Sequence, residues 1–247
     1  MNLKPVDINC DVGEGVGNEA KILPLITRCN IACGGHAGDE NSILEVMRLA
    51  KIYDVSIGAH PSYPDKENFG REVLVLGNRA LKISLIAQLK LFKKCAKNVG
   101  LPVTHIKPHG ALYNEALKSK KIAKVISKAC IQVFPDAVLL APFNSALAEV
   151  ALSFGTRVMF EAFADRNYNN NLSMVSRKEA NAVITNPESV LKHLLQMLEK
   201  GTVLTVTKKS IPMKAATFCI HGDTADALKI LKFVKQKLPD YGWTIKK

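Results

Sequence analysis

The sequence predicts an α/β protein, an irregular (β/α) barrel with seven strands as its preferred form. Its 247 residues match the length at which α/β barrels close as one unit, so we expect a single domain over residues 1–247. Short apolar runs alternate with longer segments of helical period, which is typical of repeated βα units. Polar residues beside glycines follow several of the runs, as at a barrel rim. An open doubly wound sheet is the alternative that this pattern leaves.

The predicted strands are short apolar runs that end in turn-forming residues. They are expected at residues 5–11, 27–33, 55–60, 103–107, 137–141, 157–163, 202–207 and 216–221. Eight runs are consistent with seven or eight βα units, so the strand count stays open at this point.

Helices are expected between the strands, where apolar residues recur at intervals of three and four. Residues 43–52, 79–99 and 119–133 carry such stripes. A stripe of this kind covers a sheet, so we expect these helices on the outside of the barrel.

Two further helices are indicated by residues at their ends. Asn144 is positioned to cap a helix that ends before Gly155. Asn186 with Pro187 opens another helix, which Gly201 closes.

Polar residues at every second position mark one face of several strands. Asp7, Asn9 and Asp11 alternate with apolar residues in the first strand. Strands enclosed by helices are usually apolar on both faces, so this alternation needs a reason. Later strands repeat it at His105, Lys107, His109, Glu161, Asp165, His221 and Asp223. We expect these side chains to share one polar interior.

Four of the six histidines follow strands, in glycine-containing turns that favour a tight βα connection. They are His36, His60, His109 and His221, in the segments CGGHAGD, GAHP, KPHG and HGD; a further turn of this type is GEG at 13–15. A single histidine is more often a hydrogen-bonded structural residue. Four of them at one rim predict an active cleft.

The other two histidines and one lysine suggest different roles. His105 lies deeper in its strand and is expected to form hydrogen bonds in the core, whereas His193 lies in the helix KHLLQMLEK and is expected to be solvated. Lys107 faces the interior, where a charge is costly unless it is paired. We expect it to pair with Asp11 or Glu161, or to bind an anionic substrate.

The chain carries 34 lysines and arginines against 22 aspartates and glutamates, a formal charge of +12. The lysines lie mostly on helical stretches, without the aromatic residues that single-strand binders place among them. We therefore expect no nucleic-acid partner. An acidic substrate or an acidic protein partner is consistent with the charge.

The amino-terminal residues MNLKPVDINCD contain no apolar segment, so no signal peptide or membrane anchor is expected and the predicted location is the cytoplasm. Buried, reduced thiols are predicted for the six cysteines, which lie in apolar runs: Cys10, Cys29, Cys33, Cys95, Cys130 and Cys219. The spacing of Cys29 and Cys33 does not predict a zinc knuckle, because no second pair matches it.

The motifs, in order along the chain, resemble those of the LamB/YcsF family. They are DINCDVGEG (7–15), NIACGGHAGD (30–39), IGAHPSYPD (57–65), FGR (69–71), KPHGALYN (107–114), FADRNY (163–168) and CIHGDT (219–224). Each motif alone has modest specificity, but their ordered combination is strong and spans nearly the whole chain. The sequence departs from the family pattern at Gly35, at Glu72 and in the loosely matching segment 169–184.

The resemblance implies a barrel of the glycoside hydrolase/deacetylase type and an activity that opens the lactam ring of 5-oxo-L-proline to give L-glutamate. It also implies that ATP is consumed and that 5-oxoprolinase subunits B and C take part. Phosphorylation of the lactam oxygen by the partner subunits would make the carbonyl a better electrophile, and this chain would then add water.

Mapped onto the motifs, the resemblance gives the polar residues roles in this reaction. Asp11 would activate water as a general base. Lys107 and His109 would face the phosphate or the developing oxyanion, and His60 and His221 would protonate the leaving nitrogen. The residues expected to bind and orient the substrate are His36, Arg71, Glu161, Asp165, Arg166 and Asp223. Arg71 and Arg166 are the candidates for its carboxylate, with ordinary loop salt bridges as the alternative.

Two other functions fit the same residues. A metal-dependent carbohydrate or amide deacetylase would use Asp11, His60 and His109 as ligands of a divalent cation. A ligand-binding subunit without catalysis would need fewer ionisable groups than the sequence offers. Metal content discriminates the deacetylase from the oxoprolinase, and an assay of the reconstituted mixture discriminates the binding subunit from either enzyme.

Overall fold

Strands and helices alternate along the chain, and the strands bring the polar positions together. The computed structural model describes residues 2–224 and 226–246. The strands are β1 (Lys4–Val6), β2 (Ile8–Val12), β3 (Arg28–Ala32), β4 (Ser56–His60), β5 (Val103–Ile106), β6 (Val138–Pro142), β7 (Val158–Phe163), β8 (Thr202–Leu204), β9 (Ser210–Pro212), β10 (Thr217–Cys219) and β11 (Trp243–Ile245).

Seven of these strands form a closed parallel barrel in the order β10, β2, β3, β4, β5, β6 and β7. The barrel closes because β10 pairs with both β2 and β7. The prediction of a seven-stranded (β/α) barrel is thus confirmed. All seven strands run in one direction, so their carboxyl ends form one rim.

The helices connect the strands and cover the barrel with their apolar stripes. They are α1 (Glu19–Ile22), α2 (Glu40–Ile52), α3 (Asn78–Val99), α4 (Gly110–Ala116), α5 (Lys120–Val133), α6 (Ala146–Ser153), α7 (Pro187–Lys200) and α8 (Ala227–Lys237). In α3 the stripe of Leu81, Leu85, Leu89 and Phe92 is fully buried. Each such leucine contributes about 1.5–3 kcal/mol by leaving water.

Local side-chain chemistry sets several helix ends. The Asn186 side chain accepts a hydrogen bond from Ser189 N at the start of α7, and Gly201 ends this helix in the left-handed conformation. Ser145, and not Asn144, caps α6. Asn144 is instead a turn residue with a φ of 59°.

Two predicted strands differ from the structure. The segment 202–207 is not a barrel strand, because β8 ends at Leu204 and pairs antiparallel with β9 in a separate two-stranded sheet. The segment 5–11 divides at Asp7, since β1 pairs with β11 whereas β2 enters the barrel. The apolar pattern identifies both segments as extended but does not identify their partners.

Two glycines allow polar side chains to approach the backbone closely. A Cβ on Gly58 in β4 would lie 2.3 Å from the His105 ring, and a Cβ on Gly35 would lie 2.3 Å from Ser62 Oγ and 2.5 Å from Gln88 Oε1. The Gln88 side chain accepts a hydrogen bond from Ser62 N through Oε1 and donates one to Ser62 O through Nε2. A residue bulkier than Gly35 would therefore displace this network.

The core cysteines agree with a further expectation. All six cysteines are buried free thiols. Within residues 2–224 and 226–246, no helix is long and apolar enough to cross a membrane.

His193 is buried, so the prediction that it is solvated is wrong. Only 9% of the residue is exposed, and its ring stacks on Tyr168 with centroids 6.0 Å apart. The helix α7 buries the face that carries His193, together with Leu194 and Met197. Burial lowers the pKa of His193 to about 4.

The neutral state of His193 predicts a pH effect on stability. An unfolded histidine has a pKa of about 6.5, whereas folded His193 has a pKa of about 4. Between these two pH values the unfolded chain binds a proton that the folded chain does not, so stability falls as the pH falls. We expect the unmodified protein to lose about 2 kcal/mol more unfolding free energy than His193→Gln when the pH falls from 7 to 5. Urea unfolding of both proteins at the two pH values measures this; equal losses would contradict it.

Candidate active site

A cleft of about 1240 Å³ opens at the carboxyl ends of the barrel strands. Polar side chains from four barrel strands, or from the residues just after them, form its floor: Asp11, His60, Lys107 and His221. Such a rim is where the loops of α/β barrels assemble their sites. The position of the cleft therefore agrees with the expectation from the sequence.

Lys107 is the central charge of the cleft floor and is 2% exposed. Its Nζ lies 3.0 Å from Asp11 Oδ1 and 3.0 Å from Glu161 Oε1, and it donates to Asn9 Oδ1 over 3.3 Å. Burial opposes the charge, but the carboxylates, Asp11 foremost, hold the pKa of Lys107 well above its usual value. The predicted internal ion pair thus involves both carboxylates.

Asp11 is fixed from two sides at the end of β2. Its Oδ1 accepts hydrogen bonds from Asn30 Nδ2 over 2.8 Å and from Lys107 Nζ over 3.0 Å. His60 Nε2 lies 3.6 Å from its Oδ2. Burial alone would raise the pKa of Asp11, but the His60 and Lys107 nitrogens outweigh burial and hold it well below its usual value. Asp11 is therefore an ionised carboxylate that borders the cleft.

Three histidines surround the carboxylate of Glu14 beside Asp11. Glu14 Oε1 lies 2.9 Å from His36 Nε2, 3.3 Å from His109 Nδ1 and 3.8 Å from His60 Nε2. The Glu14 side chain is only 4% exposed. His36 and His109 stack with centroids 3.6 Å apart, and His60 meets His109 edge to face. Glu14, His36, His60 and His109 together are called the histidine cluster below.

Burial sets the protonation of the histidine cluster. It lowers the pKa of both His36 and His60 to about 4, and it lowers the pKa of His109 well below the usual value. Burial and the nearby charge of Asp11 raise the pKa of Glu14 to about 7. The three imidazoles are consequently neutral near pH 7.

His221, which lines the cleft, forms a second acid–base pair with Asp165. Asp165 accepts from His221 Nδ1 over 3.0 Å, from His221 N over 2.9 Å and from Thr224 Oγ1 over 2.9 Å. Burial alone would raise the pKa of Asp165, but His221 and these donors lower it to about 2. Since Asp165 holds Nδ1–H, the Nε2 atom of His221 is left for another partner.

The outer part of the cleft carries three arginines. Arg71 forms an ion pair with Asp223, whose other carboxylate oxygen lies 3.7 Å from Arg177. Arg166 donates through Nε and Nη2 to the carbonyls of Ala182 and Val175. These bonds fix the loop after β7, so Arg166 has only its remaining N–H groups for a ligand.

The structure brings all the predicted site residues to this end of the barrel. The cleft is lined by Asp11, His60, Arg71, Lys107, His109, Arg166, His221 and Asp223. His36, Glu161 and Asp165 lie behind the lining and contact Glu14, Lys107 and His221, respectively. His105 is a core residue as predicted, and its Nε2 bonds Asn30 Oδ1 over 2.9 Å.

Several residues of the site were missed by the sequence reasoning. Glu14 is the central one, although its position between two glycines after β2 was a usable signal. Tyr113 donates to Glu161 Oε2 over 2.8 Å, and Cys219 Sγ lies 3.1 Å from Lys107 Nζ. In the sequence Tyr113 and Cys219 follow apolar residues and match the pattern of core positions, so their polar contacts were not predicted.

The site offers acid–base groups, a fixed positive charge and two sets of donor atoms for a cation. The donor sets are Glu14 with His36, His60 and His109, and Asp11 with Cys219 and His221. The predicted ligand set of Asp11, His60 and His109 joins residues from both. Carboxylate and imidazole ligands together suit divalent transition metals.

The closed barrel and the ionisable cleft at its rim define the chain as a (β/α)-barrel protein with a site in the βα loops. It belongs to the LamB/YcsF family, whose pattern it matches over residues 6–247.

Individual relatives agree with this assignment. A Staphylococcus haemolyticus (strain JCSC1435) protein that is named as a 5-oxoprolinase subunit is 41% identical over 242 residues, which cover 96% of this chain and 97% of that protein. The crystal structure of a lactam utilization protein from Thermus thermophilus has a TM-score of 0.91 and 33% identity, covering 98% of this chain and 99% of that chain.

A more distant structure shares the fold alone. The GH20 β-N-acetylhexosaminidase from Streptomyces coelicolor A3(2) has a TM-score of 0.50 and 12% identity, covering 98% of this chain and 65% of that chain. The barrel is thus similar to that of a glycosidase, as the family resemblance implies.

Proposed function

We propose that this protein is the ring-opening subunit of an ATP-dependent 5-oxoprolinase. It would act in the cytoplasm with subunits B and C and convert 5-oxo-L-proline to L-glutamate. The observation that carries the proposal is the buried Asp11–Lys107–Glu161 group in the cleft floor, with Lys107 Nζ 3.0 Å from each carboxylate. The relatives named as a 5-oxoprolinase subunit and as a lactam utilization protein support the choice of substrate.

The proposed reaction breaks the bond between the lactam carbonyl carbon and the ring nitrogen. The partner subunits transfer the γ-phosphoryl group of ATP to the lactam oxygen. Asp11 takes a proton from water, and the oxygen of this water forms a bond to the activated carbon. Lys107 stabilises the negative charge that develops on the oxygens of the tetrahedral intermediate, and the C–N bond breaks as the nitrogen takes a proton. The acyl phosphate that results reacts with a second water, which breaks its C–O–P linkage, releases phosphate and leaves the γ-carboxylate of glutamate. The products are glutamate, ADP and phosphate.

The leaving nitrogen needs a proton, and His221 is better placed to give it than His60. Asp165 holds Nδ1 of His221 and stabilises a positive ring, so a proton on Nε2 can be passed to the substrate. His60 Nδ1 donates to Lys107 O over 2.7 Å, and its Nε2 is 2.9 Å from His109 Nδ1. His60 is therefore committed to the histidine cluster.

The substrate carboxylate is assigned to the arginines of the cleft. Arg71 lines the cleft with about half of its side chain exposed, at 45%. It can exchange its Asp223 partner for the substrate in a bidentate pair. Arg166, fixed by two carbonyls, has fewer donors left for this purpose.

A metal-dependent amide or carbohydrate deacetylase is the second candidate, and the histidine cluster is the observation that favours it. Release of acetate from an N-acetylated sugar by the chain alone would support this candidate. The ring-opening proposal instead requires partner subunits and ATP.

Glutamate formation from 5-oxo-L-proline and ATP is the direct test. The chain is mixed with subunits B and C, and each component is omitted in turn. We expect glutamate only in the complete mixture. Lys94→Met, a change at a side chain that is 67% exposed, should replace the unmodified chain without loss. Glutamate formation that is unaffected by omission of this chain would overturn the proposal.

A further inference from the structure

Three ligand atoms of the histidine cluster meet at the spacing that one metal ion requires. His109 Nδ1 lies 2.9 Å from His60 Nε2 and 3.3 Å from Glu14 Oε1, and His60 Nε2 lies 3.8 Å from the same oxygen. Ligand atoms at about 2.0–2.1 Å from a tetrahedral zinc ion are about 3.3 Å apart. The observed separations of 2.9, 3.3 and 3.8 Å therefore bracket the spacing expected around one zinc ion.

The tautomers of His60 and His109 follow from the ring nitrogen of each that points away from Glu14. His60 Nδ1 is 2.7 Å from Lys107 O, and His109 Nε2 is 3.0 Å from Phe69 O. A carbonyl oxygen only accepts, so each of these nitrogens carries the hydrogen. In neutral rings the facing atoms, His60 Nε2 and His109 Nδ1, then both present lone pairs to each other and to Glu14. Such an arrangement is repulsive unless a proton on Glu14 or a cation lies between the three atoms.

Among the described residues, the ion-pair partners of Glu14 do not include a permanently charged side chain. They are histidines and not a lysine or an arginine. The second donor set differs, because Lys107 Nζ already lies 3.0 Å from Asp11 Oδ1 and 3.1 Å from Cys219 Sγ. An ammonium group occupies the place that a metal would need there.

His36 is close to the three ligands but has the wrong orientation to join them. Its ring is stacked on His109, with planes at 2° and centroids 3.6 Å apart. A metal lies near the plane of each imidazole that binds it, and two stacked parallel planes do not meet. His36 Nε2, 2.9 Å from Glu14 Oε1, instead suits a hydrogen bond that orients the carboxylate.

We propose that Glu14, His60 and His109 bind one divalent transition-metal cation of the zinc type, and that His36 positions Glu14. Three protein ligands leave a fourth position open to water or to a substrate oxygen, which is typical of a catalytic rather than a structural metal site. The ligand set contains no thiolate. The proposal concerns binding of the cation and holds whichever amide the cleft hydrolyses.

Metal binding is measured on the chain alone, purified without a histidine tag and treated with a chelator. We expect isothermal titration with Zn²⁺ and elemental analysis after gel filtration to give one bound equivalent. Glu14→Gln and His109→Gln should each weaken binding by at least about 100-fold, and His36→Asn by about 10–100-fold. His193→Gln, which changes a buried histidine outside the cluster, should bind as the unmodified chain does.

In the binding experiment, the assignment would be overturned by no stoichiometric binding to the unmodified chain, or by full binding by Glu14→Gln and His109→Gln. Circular dichroism checks that each variant is folded. If the variants do not fold, X-ray absorption of the Co²⁺-loaded unmodified chain decides the matter. Nitrogen and oxygen ligands with two imidazoles support the proposal, whereas a sulfur ligand would assign the metal to Cys219 and overturn it. The titration and the X-ray absorption experiment both use the chain without the partner subunits. A failure of the metal proposal is therefore distinguishable from a failed ring-opening assay.

Discussion

Replacement of Lys107 with methionine is expected to abolish detectable glutamate formation and to lower the free energy of unfolding by about 3–5 kcal/mol. Methionine keeps the length of the side chain but removes the ammonium group that lies 3.0 Å from both Asp11 and Glu161. Two buried carboxylates are then left without their counter-charge. Urea unfolding measures the stability, and the reconstituted assay measures the turnover.

A second substitution separates the two effects. Lys107→Met combined with Glu161→Gln removes one of the uncompensated charges, so we expect part of the stability to return while turnover stays absent. The matched control is Lys94→Met, which breaks an exposed pair of 2.7 Å with Glu40. Exposed pairs contribute about 0–1 kcal/mol, so this control should change little. Substantial turnover by folded Lys107→Met would contradict the role of its charge.

The barrel was predictable because its causes are local and repeated. Apolar runs and helical stripes recur along the chain, and the helix α7 has its cap at Asn186 and its terminating Gly201 within the sequence itself. The interior polar face was predictable for the same reason, since Asn9 and Asp11 alternate with buried apolar neighbours in β2. A period of two is visible without knowledge of the fold.

Pairing and burial over long distances were less accessible. The segment 202–207 has a strand-like composition, yet only the structure shows that β8 pairs with β9 and not with the barrel. His193 was expected to be solvated as a residue of the helix KHLLQMLEK, although the face of α7 that it occupies packs inward. One residue type says little about the direction in which a helix faces.

The contacts and tautomers of the histidine cluster could not be predicted from the sequence. The sequence indicates that His36, His60 and His109 belong to the rim, but it does not contain the distance from each to Glu14. The tautomers depend on backbone carbonyls at Phe69 and Lys107, which any residue type could provide. Roles that are set by carbonyl positions require coordinates.

Asp7, just before β2, and Asp11, within β2, give a second large expected effect. Asp7 and Asp11 face the same interior from opposite ends of the segment. Asp7 accepts from Arg28 Nε and Nη2 over 2.8 and 2.6 Å, away from the cleft. Asp11 lines the cleft and bonds Lys107. The same substitution should therefore lower mainly the stability at Asp7 and mainly the turnover at Asp11.

Asp11→Asn is expected to lower turnover by about 10³-fold, since the amide has nearly the same shape but does not take the proton from water. Its stability should fall less than that of Asp7→Asn, because Lys107 keeps the partner Glu161. Asp7→Asn leaves buried Arg28 unpaired and should lose about 3–5 kcal/mol of unfolding free energy, with normal turnover per folded molecule. Turnover in the reconstituted mixture and urea unfolding of both variants give the comparison. Equal turnover in the two variants would remove Asp11 from the proposed mechanism, because Asp11 bonds Lys107 in the cleft whereas Asp7 bonds Arg28 away from it.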